Sequence, residues 1–366
     1  MRFNINKSEL LNALTIVAKG ASTRSVLPVL SGVYIKAEGA GLTMQTTDLE
    51  RSIRYDVMAL VEEPGETVIP EKLLLDIVKN LPDAAVEFKT NEDDGTVSVS
   101  CDSASYVLKT LDPEDFPAFP NVDVKNRIMV PFSEFCKMVK RVAKVVSKDQ
   151  SRIVMTGVLI STTESGLRMV ATDSYRLAIC DVAAPGVEEG FEAIVSGAFL
   201  QEVASLPALA DSIEIGLSEN QVVFEFQKMV LINRRIEGNF PNYRQLIPDT
   251  YVTKTCFTTS DLITAVRRVS LISSPTEPVK FDINKDAKNA IVTSVSQDVG
   301  RAEEILPCEV AGDNALIAFN HQYVLDGLTS VGTSQVFLET QSSLKPGIFK
   351  SAEGENFLYL VMPVRI

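Results

Sequence analysis

The chain has a single histidine, His321, among its 366 residues. A His-based catalytic triad or a histidine-rich metal site is thereby nearly excluded. Its five cysteines (Cys101, Cys136, Cys180, Cys256, Cys308) are odd in number, scattered, and form no C-x-x-C pair. That pattern suits a reducing cytosol better than a disulfide framework. Neither G-x-x-x-x-G-K-[ST] nor G-x-G-x-x-G occurs, so nothing suggests a phosphate-cradling loop. No apolar run is long enough to span a membrane, and the opening MRFNINKSEL lacks the apolar segment of a signal peptide. Positive charge is also in deficit. A net charge of −13 argues against a surface that binds nucleic acid everywhere, but it leaves room for one basic face. The remainder is ordinary for a globular protein, 45% hydrophobic and 23% charged, with a length that suits two or three domains.

What the sequence does contain is a repeat. The stretch VATDSYRLAICDV sets Asp173 and Arg176 three apart between apolar runs. QTTDLERSIRYDV holds the same pair at Asp48 and Arg51, and SVSQDVGRAEEIL at Asp298 and Arg301, at equal intervals of 125 residues. An enzyme in which these aspartates act as acid, base or Mg²⁺ ligand would need residues from separate repeats to converge. A scaffold of three copies simply needs the same turn three times. D-x-x-R therefore reads as a turn between strands, with Asp capping backbone N–H groups and Arg pairing with it or a neighbour.

Three further segments line up: INKSELLNALTIVAKGAS, VPFSEFCKMVKRVAKVVS and FTTSDLITAVRRVSLISS. Each has Ser followed by an acidic residue, a helix opening. Apolar residues then recur at three and four, as Leu10, Leu14, Val17; Phe135, Val139, Val142; and Leu262, Val266, Val269, the period of an amphipathic helix. A second helix recurs with the faces Leu74, Val78, Leu81; Phe199, Val203, Leu206; and Val324, Leu328, Val331. Between them, runs rich in Val, Ile, Leu and Thr around Gly, Asn or Asp read as hairpins. The predicted fold class is α+β: three tandem units of about 122 residues, each with two helices packed on antiparallel sheet. Pro-containing segments near 117–128 and 241–252 read as linkers.

Cations gather on a few helices. Lys137, Lys140, Arg141, Lys144 and Lys148 share one helical face, opposite Phe135, Val139, Val142 and Val146. Arg267 and Arg268 continue the theme in the third unit, and Lys19, Arg24, Lys72 and Lys79 in the first. A solvated helix face is the plain alternative. Yet cations concentrated in an acidic protein make one positive surface and leave the rest repelling phosphate. No aromatics cluster beside them, which favours backbone contact over base stacking.

ATDSYRLA, NFPNYRQLIP, FNHQYVLDGL, the terminal YLVMPVRI and the three-unit plan together resemble the β sliding clamps of bacterial DNA polymerase III over essentially the whole length. The resemblance implies three clamp domains, at 1–120, 128–247 and 250–366, and head-to-tail homodimers that close six units into a ring around duplex DNA. It implies no catalysis, no cofactor, no metal, no membrane contact, and a cytoplasmic location. The implied partners are duplex DNA without sequence preference, the polymerase III α subunit, the clamp loader, and proteins carrying a clamp-binding motif (repair polymerases, ligase, mismatch repair). It also implies a peptide pocket between units two and three. The pocket walls would be Met155, Thr172, Ser174, Tyr175, Arg176, Leu177, Pro241 and Leu246, with Asn320, Tyr323, Leu344, Pro346, Leu360, Met362 and Val364. Ser174-Tyr175 replaces the family's common Gly-His, giving a bulkier wall. Implied DNA contacts are Arg24, Lys72, Lys148, Gln150 and Arg152; Ile153-Val154 stands where an aromatic pair is common. The implied dimer seam sets Tyr106 and Leu108 against Leu271 and Ile272, with Glu303 and Glu304 for charge pairing; Ser103 and Ser105 replace basic residues there. A monomeric three-domain adaptor is the competing reading, and it requires neither a dimer nor the basic stripe.

Overall fold

Among the described residues a strand runs directly into an α-helix six times: Arg2–Asn6 into α1 (Lys7–Val17), Gly65–Pro70 into α2 (Glu71–Asn80), Asn126–Pro131 into α3 (Phe132–Val142), Glu192–Ser196 into α4 (Gly197–Ala204), Thr253–Thr258 into α5 (Thr259–Val269) and Ala315–Asn320 into α6 (His321–Val331). This computed structural model describes the chain except residues 23–26, 92, 125, 165, 185–189, 208–209, 275–276, 355 and 366. The first helix of each repeat begins earlier than a serine cap would place it. Ser8, Ser133 and Ser260 lie inside the first turn, and Asn6 and Thr258 at the N-cap make no side-chain cap bond. Glu9, Glu134 and Asp261 still sit where the helix dipole favours an anion. The apolar positions expected on the helix faces are buried, including Leu81 and Leu206 just past the ends of α2 and α4, except Val146, which lies past the end of α3 and is half-buried.

All the named strands pair antiparallel, in four sheets. Packing groups them into two compact units, one of residues 1–133 and 205–235, the other of 134–204 and 236–366. The central repeat is thus shared out, and strand pairing explains how. Met229–Arg234 pairs with Arg51–Met58, so the tail of the second repeat completes an eight-stranded sheet begun by the first. Phe357–Val361 pairs with Arg176–Ala183 in the same way, completing a nine-stranded sheet. The first unit also holds a five-stranded sheet ending on Ala104–Lys109. The second holds a four-stranded sheet ending on Gly300–Pro307.

The D-x-x-R turn is built in two copies, not three. Asp48 Oδ1 accepts from the N–H groups of Glu50 (3.0 Å) and Arg51 (2.7 Å), and Oδ2 accepts from Arg51 Nε at 2.8 Å. Asp173 repeats this with Tyr175 N, Arg176 N and Arg176 Nε at 3.0, 3.0 and 2.9 Å. Leu49 and Ser174 carry the positive φ of each turn, 74° and 79°. In the third copy Gly300 takes a φ of 135°, and Arg301 pairs with Glu303. The Pro-containing tails are packed rather than free. Phe116 stacks on Tyr34 (5.3 Å), Phe119 lies under the Arg54 guanidinium (4.7 Å), and Tyr243 is buried.

Candidate functional site

The pairing of Arg176–Ala183 with Phe357–Val361 sets Leu177 opposite Leu360. Both are buried, in a cluster with Leu159, Val170, Ile179, Ile194, Tyr243 and Ile348; Phe240 and Ile247 pack on its border. Leu177 and Leu360 were expected as walls, but they form a floor. The accessible apolar groups stand around it: Tyr175 two residues before Leu177, Met362 two after Leu360, and Leu246 beside Ile247. All three are exposed, Tyr175 at 58%. Past the strand the chain continues as a strap, with Met362 N donating to Tyr175 O (2.9 Å) and Val364 N to Ala318 O (2.8 Å). Tyr175 stacks on Tyr323 with ring centroids 6.4 Å apart.

Several other expected wall residues serve the frame instead. Thr172 is buried; its hydroxyl donates to Arg176 O (2.7 Å) and accepts from Ser174 N (3.1 Å). Asn320 Oδ1 caps α6 by accepting from Gln322 N and Tyr323 N. Pro241 O accepts from Tyr243 N at 2.7 Å. Met155 Sδ accepts from Ser174 Oγ at 3.4 Å. Leu344 is exposed, while Pro346 lines a separate small cavity with Pro248 and Tyr251.

Arg176 is the hub beneath this surface. Its guanidinium pairs with Asp173 (2.9 Å) and Asp326 (2.5 Å), donates to Lys144 O (3.2 Å) and Tyr359 Oη (3.3 Å), and lies 4.5 Å from the Tyr323 ring centroid. Burial opposes its charge, but the Tyr359 hydroxyl and the two carboxylates outweigh that and raise its pKa. Burial likewise pushes the Tyr359 hydroxyl upward, so it stays protonated and donates to Tyr323 O at 2.9 Å. With its donors committed within the chain, Arg176 supports the surface rather than reaching out from it.

The basic stripe divides. Lys137, Lys140 and Lys148 are exposed, Lys137 beside Glu134 at 2.8 Å. Arg141 is drawn onto α6 and its surroundings, donating to Val331 O (3.2 Å) and lying over the Phe357 ring. Lys144 donates to Thr329 Oγ1 (3.1 Å); burial lowers its pKa, with Asp326 opposing and Arg176 adding to the shift. Lys148, Gln150 and Arg152 border a cleft of about 950 Å³ that also reaches Lys144, Tyr175 and Tyr323. Lys72 and Arg267 are exposed, and Arg268 is held by Glu304. Arg24 lies outside the described residues.

Of the expected seam residues, Tyr106 is exposed on the open edge strand Ala104–Lys109, whereas Leu108 is buried in its own unit. Leu271 is 84% exposed and Ile272 half-buried. Glu303 and Glu304 already pair with Arg301 and Arg268. Val107 and Ile305 are also exposed, on the edge strands Ala104–Lys109 and Gly300–Pro307.

Models of the DNA polymerase III beta subunit match the chain in series: the N-terminal domain at residues 1–120, the central domain at 129–242 and the C-terminal domain at 244–365. The chain is 33% identical over 375 residues to the beta sliding clamp homolog GriR of Streptomyces muensis, covering all of this chain and 99% of that protein. It is 30% identical over 379 residues to the beta sliding clamp of Streptomyces coelicolor, covering both in full. A solved Pseudomonas aeruginosa sliding clamp bound to griselimycin superposes with a TM-score of 0.94 at 27% identity, covering both chains in full.

Removing one member of a buried ion pair leaves the other uncompensated. Arg176→Ala is therefore expected to cost about 3 kcal/mol in urea unfolding, and Arg51→Ala, at a more exposed turn, clearly less. Equal losses would remove Arg176 from its place as hub.

Proposed function

The chain belongs to the DNA polymerase III beta subunit family, and from that membership we propose how its surfaces do the work of a sliding clamp. The protein is a processivity factor: it holds the replicative polymerase on duplex DNA and performs no chemistry itself. The observation that carries the site assignment is the exposed apolar rim of Tyr175, Leu246 and Met362 over a buried floor. Such a surface takes a short peptide segment of the polymerase, loader or repair protein, which gains affinity by covering apolar area. In the Pseudomonas aeruginosa clamp a bound griselimycin is recorded; the same compound is a probe for the groove here.

Two chains close head to tail. The open edge Ala104–Lys109 of one meets the open edge Gly300–Pro307 of the other, and unpaired strand edges of this kind call for a partner. Joined, the five- and four-stranded sheets give as many strands as the nine-stranded sheet that each chain already builds. Tyr106, Val107, Leu271 and Ile305 supply the apolar contact. Lys72, Lys137, Lys140, Lys148 and Arg267 face the DNA and meet phosphates without reading bases, so the ring slides. The acidic remainder, within a net charge of −13, does not compete for the duplex. The protein works in the cytoplasm; among the described residues no helix is long and apolar enough to cross a membrane.

Electron microscopy near micromolar concentration should show rings with six lobes and an open centre, and compact single chains would defeat the closure. Joint Lys140→Glu and Lys148→Glu substitution should shorten retention on nicked circular DNA and reduce the salt slope of duplex affinity by about 2. Unchanged retention would move the DNA face elsewhere. Met362→Asp should weaken griselimycin binding about tenfold, because it sets a charge in the apolar rim. Normal binding by that variant would mean that the groove is misplaced.

A further inference from the structure

The strand Arg51–Met58 turns Ile53 and Val57 into the core of the first compact unit, and Arg54, Asp56 and Met58 to the opposite face. Antiparallel register sets Gln45 and Val230 directly beside Arg54, and Thr43 beside Asp56. Asp56 is matched, its Oδ1 accepting from Thr43 Oγ1 at 2.7 Å. Arg54 is not. Among the described residues its guanidinium has no acceptor; it lies on the Phe119 ring, 4.7 Å from the centroid, and its Nε is buried without a partner. The scaffold does not require this cation. At the same place in the next repeat, 125 residues on, Ile179 pairs with Leu358 as Arg54 pairs with Val230, and Ile179 is buried in an apolar cluster. The half-buried guanidinium of Arg54 has already lost part of its water, and stacking on Phe119 fixes its plane. A carboxylate arriving there gains charge-assisted bonds at little ordering cost.

Two residues along the strand, Asp56 borders a cleft of about 430 Å³ that Gly41, Thr43, Lys36, Lys228 and Met58 also line. Gly41 stands opposite Met58 and leaves the space over it open. Met58 is 57% exposed, a flexible apolar wall. We propose that this face docks an extended acidic segment of a partner protein, with a carboxylate on Arg54 and an apolar side chain against Met58. Arg54 and Met58 are four residues apart on one strand, about 13 Å. An extended segment therefore fits when its acidic and apolar side chains are also four positions apart, which puts both on one side of it. Nucleic acid suits the face poorly, since its successive phosphates would meet Asp56 and Glu38, whereas a single carboxylate meets Arg54 alone. Lys36 is engaged by Glu38 at 2.7 Å, and Lys228, fully in solvent reach, adds only a screened attraction.

NMR of the full chain with isotope-labelled methionine methyls reads the site directly, the Met58 signal being assigned by its loss in Met58→Leu. The probe is an end-blocked peptide of Ser and Gly with one Glu and one Leu four positions apart, added to millimolar concentration. A second peptide carries Gln in place of Glu. The Glu peptide should shift the Met58 signal and bind about tenfold more tightly than the Gln peptide. Arg54→Gln should bring both peptides to the weaker affinity, and Arg54→Lys should recover only part of the loss, since an ammonium lacks the fork. Thermal unfolding checks that the variants fold, and the wild-type comparison of the two peptides stands without them. An arginine that merely packs on Phe119 would leave the two peptides equal. Equal affinities in the wild type, a Glu preference that survives Arg54→Gln, or an unmoved Met58 signal would each overturn the site. A short blunt duplex that shifts Met58 more than the Glu peptide does would overturn it in favour of nucleic acid.

Discussion

The antiparallel pairing of Arg176–Ala183 with Phe357–Val361 is the constraint on which the second compact unit depends. It joins strands about 180 residues apart in the chain, and its register decides which side chains are floor and which are rim. A slip by one residue would take Leu177 and Leu360 out of their cluster and carry Arg176 and Tyr359 away from their partners on the other face. The same pairing brings Tyr359 to the Arg176 guanidinium, and Asp326 of α6 completes the set of partners. Charge burial of this kind is expensive unless the donors are matched, and here the matches come from the Asp173 turn, Lys144 O, α6 and the strand Phe357–Val361.

The first compact unit repeats the scaffold without its chemistry. Met229–Arg234 pairs with Arg51–Met58, and Arg234 N donates to Glu50 O at 2.9 Å, as Met362 N does to Tyr175 O. Arg51 binds Asp48 and donates to Lys19 O, as Arg176 binds Asp173 and donates to Lys144 O. Where the second unit shows Tyr175 and Met362, however, the first shows Glu50 and Arg234, whose side chains approach to 3.6 Å. An ion pair at the rim keeps its water and offers little apolar area. One backbone plan therefore carries an exposed apolar rim at one junction and an ion pair at the other.

Legibility followed distance along the chain. The helix faces were plain, because residues three and four apart meet on one side of a helix whatever surrounds it. The turn at Asp173 was plain for the same reason, as its bonds span three residues. The third copy misled because Gly300 relaxes the backbone and Glu303 offers Arg301 a nearer partner. Among the expected pocket residues, resemblance supplied a set, but it could not separate Tyr175 and Met362, which are exposed, from Leu177 and Leu360, which are buried. Nor could the spacing of Lys137, Lys140, Arg141, Lys144 and Lys148 reveal that the middle of the stripe is spent on Val331 and Thr329.

The sequence by itself determined the three-fold repeat, the helices, the hairpins and the family, because each is written in local periodicity or in the order of short motifs. Tertiary structure alone decided how the central repeat is divided between two sheets, which leucines became floor, and which cations remain exposed. Those outcomes hang on pairings between residues more than a hundred positions apart, such as Leu177 with Leu360 and Arg176 with Asp326. No local pattern carries that information, since a strand or an arginine looks the same until its partner arrives.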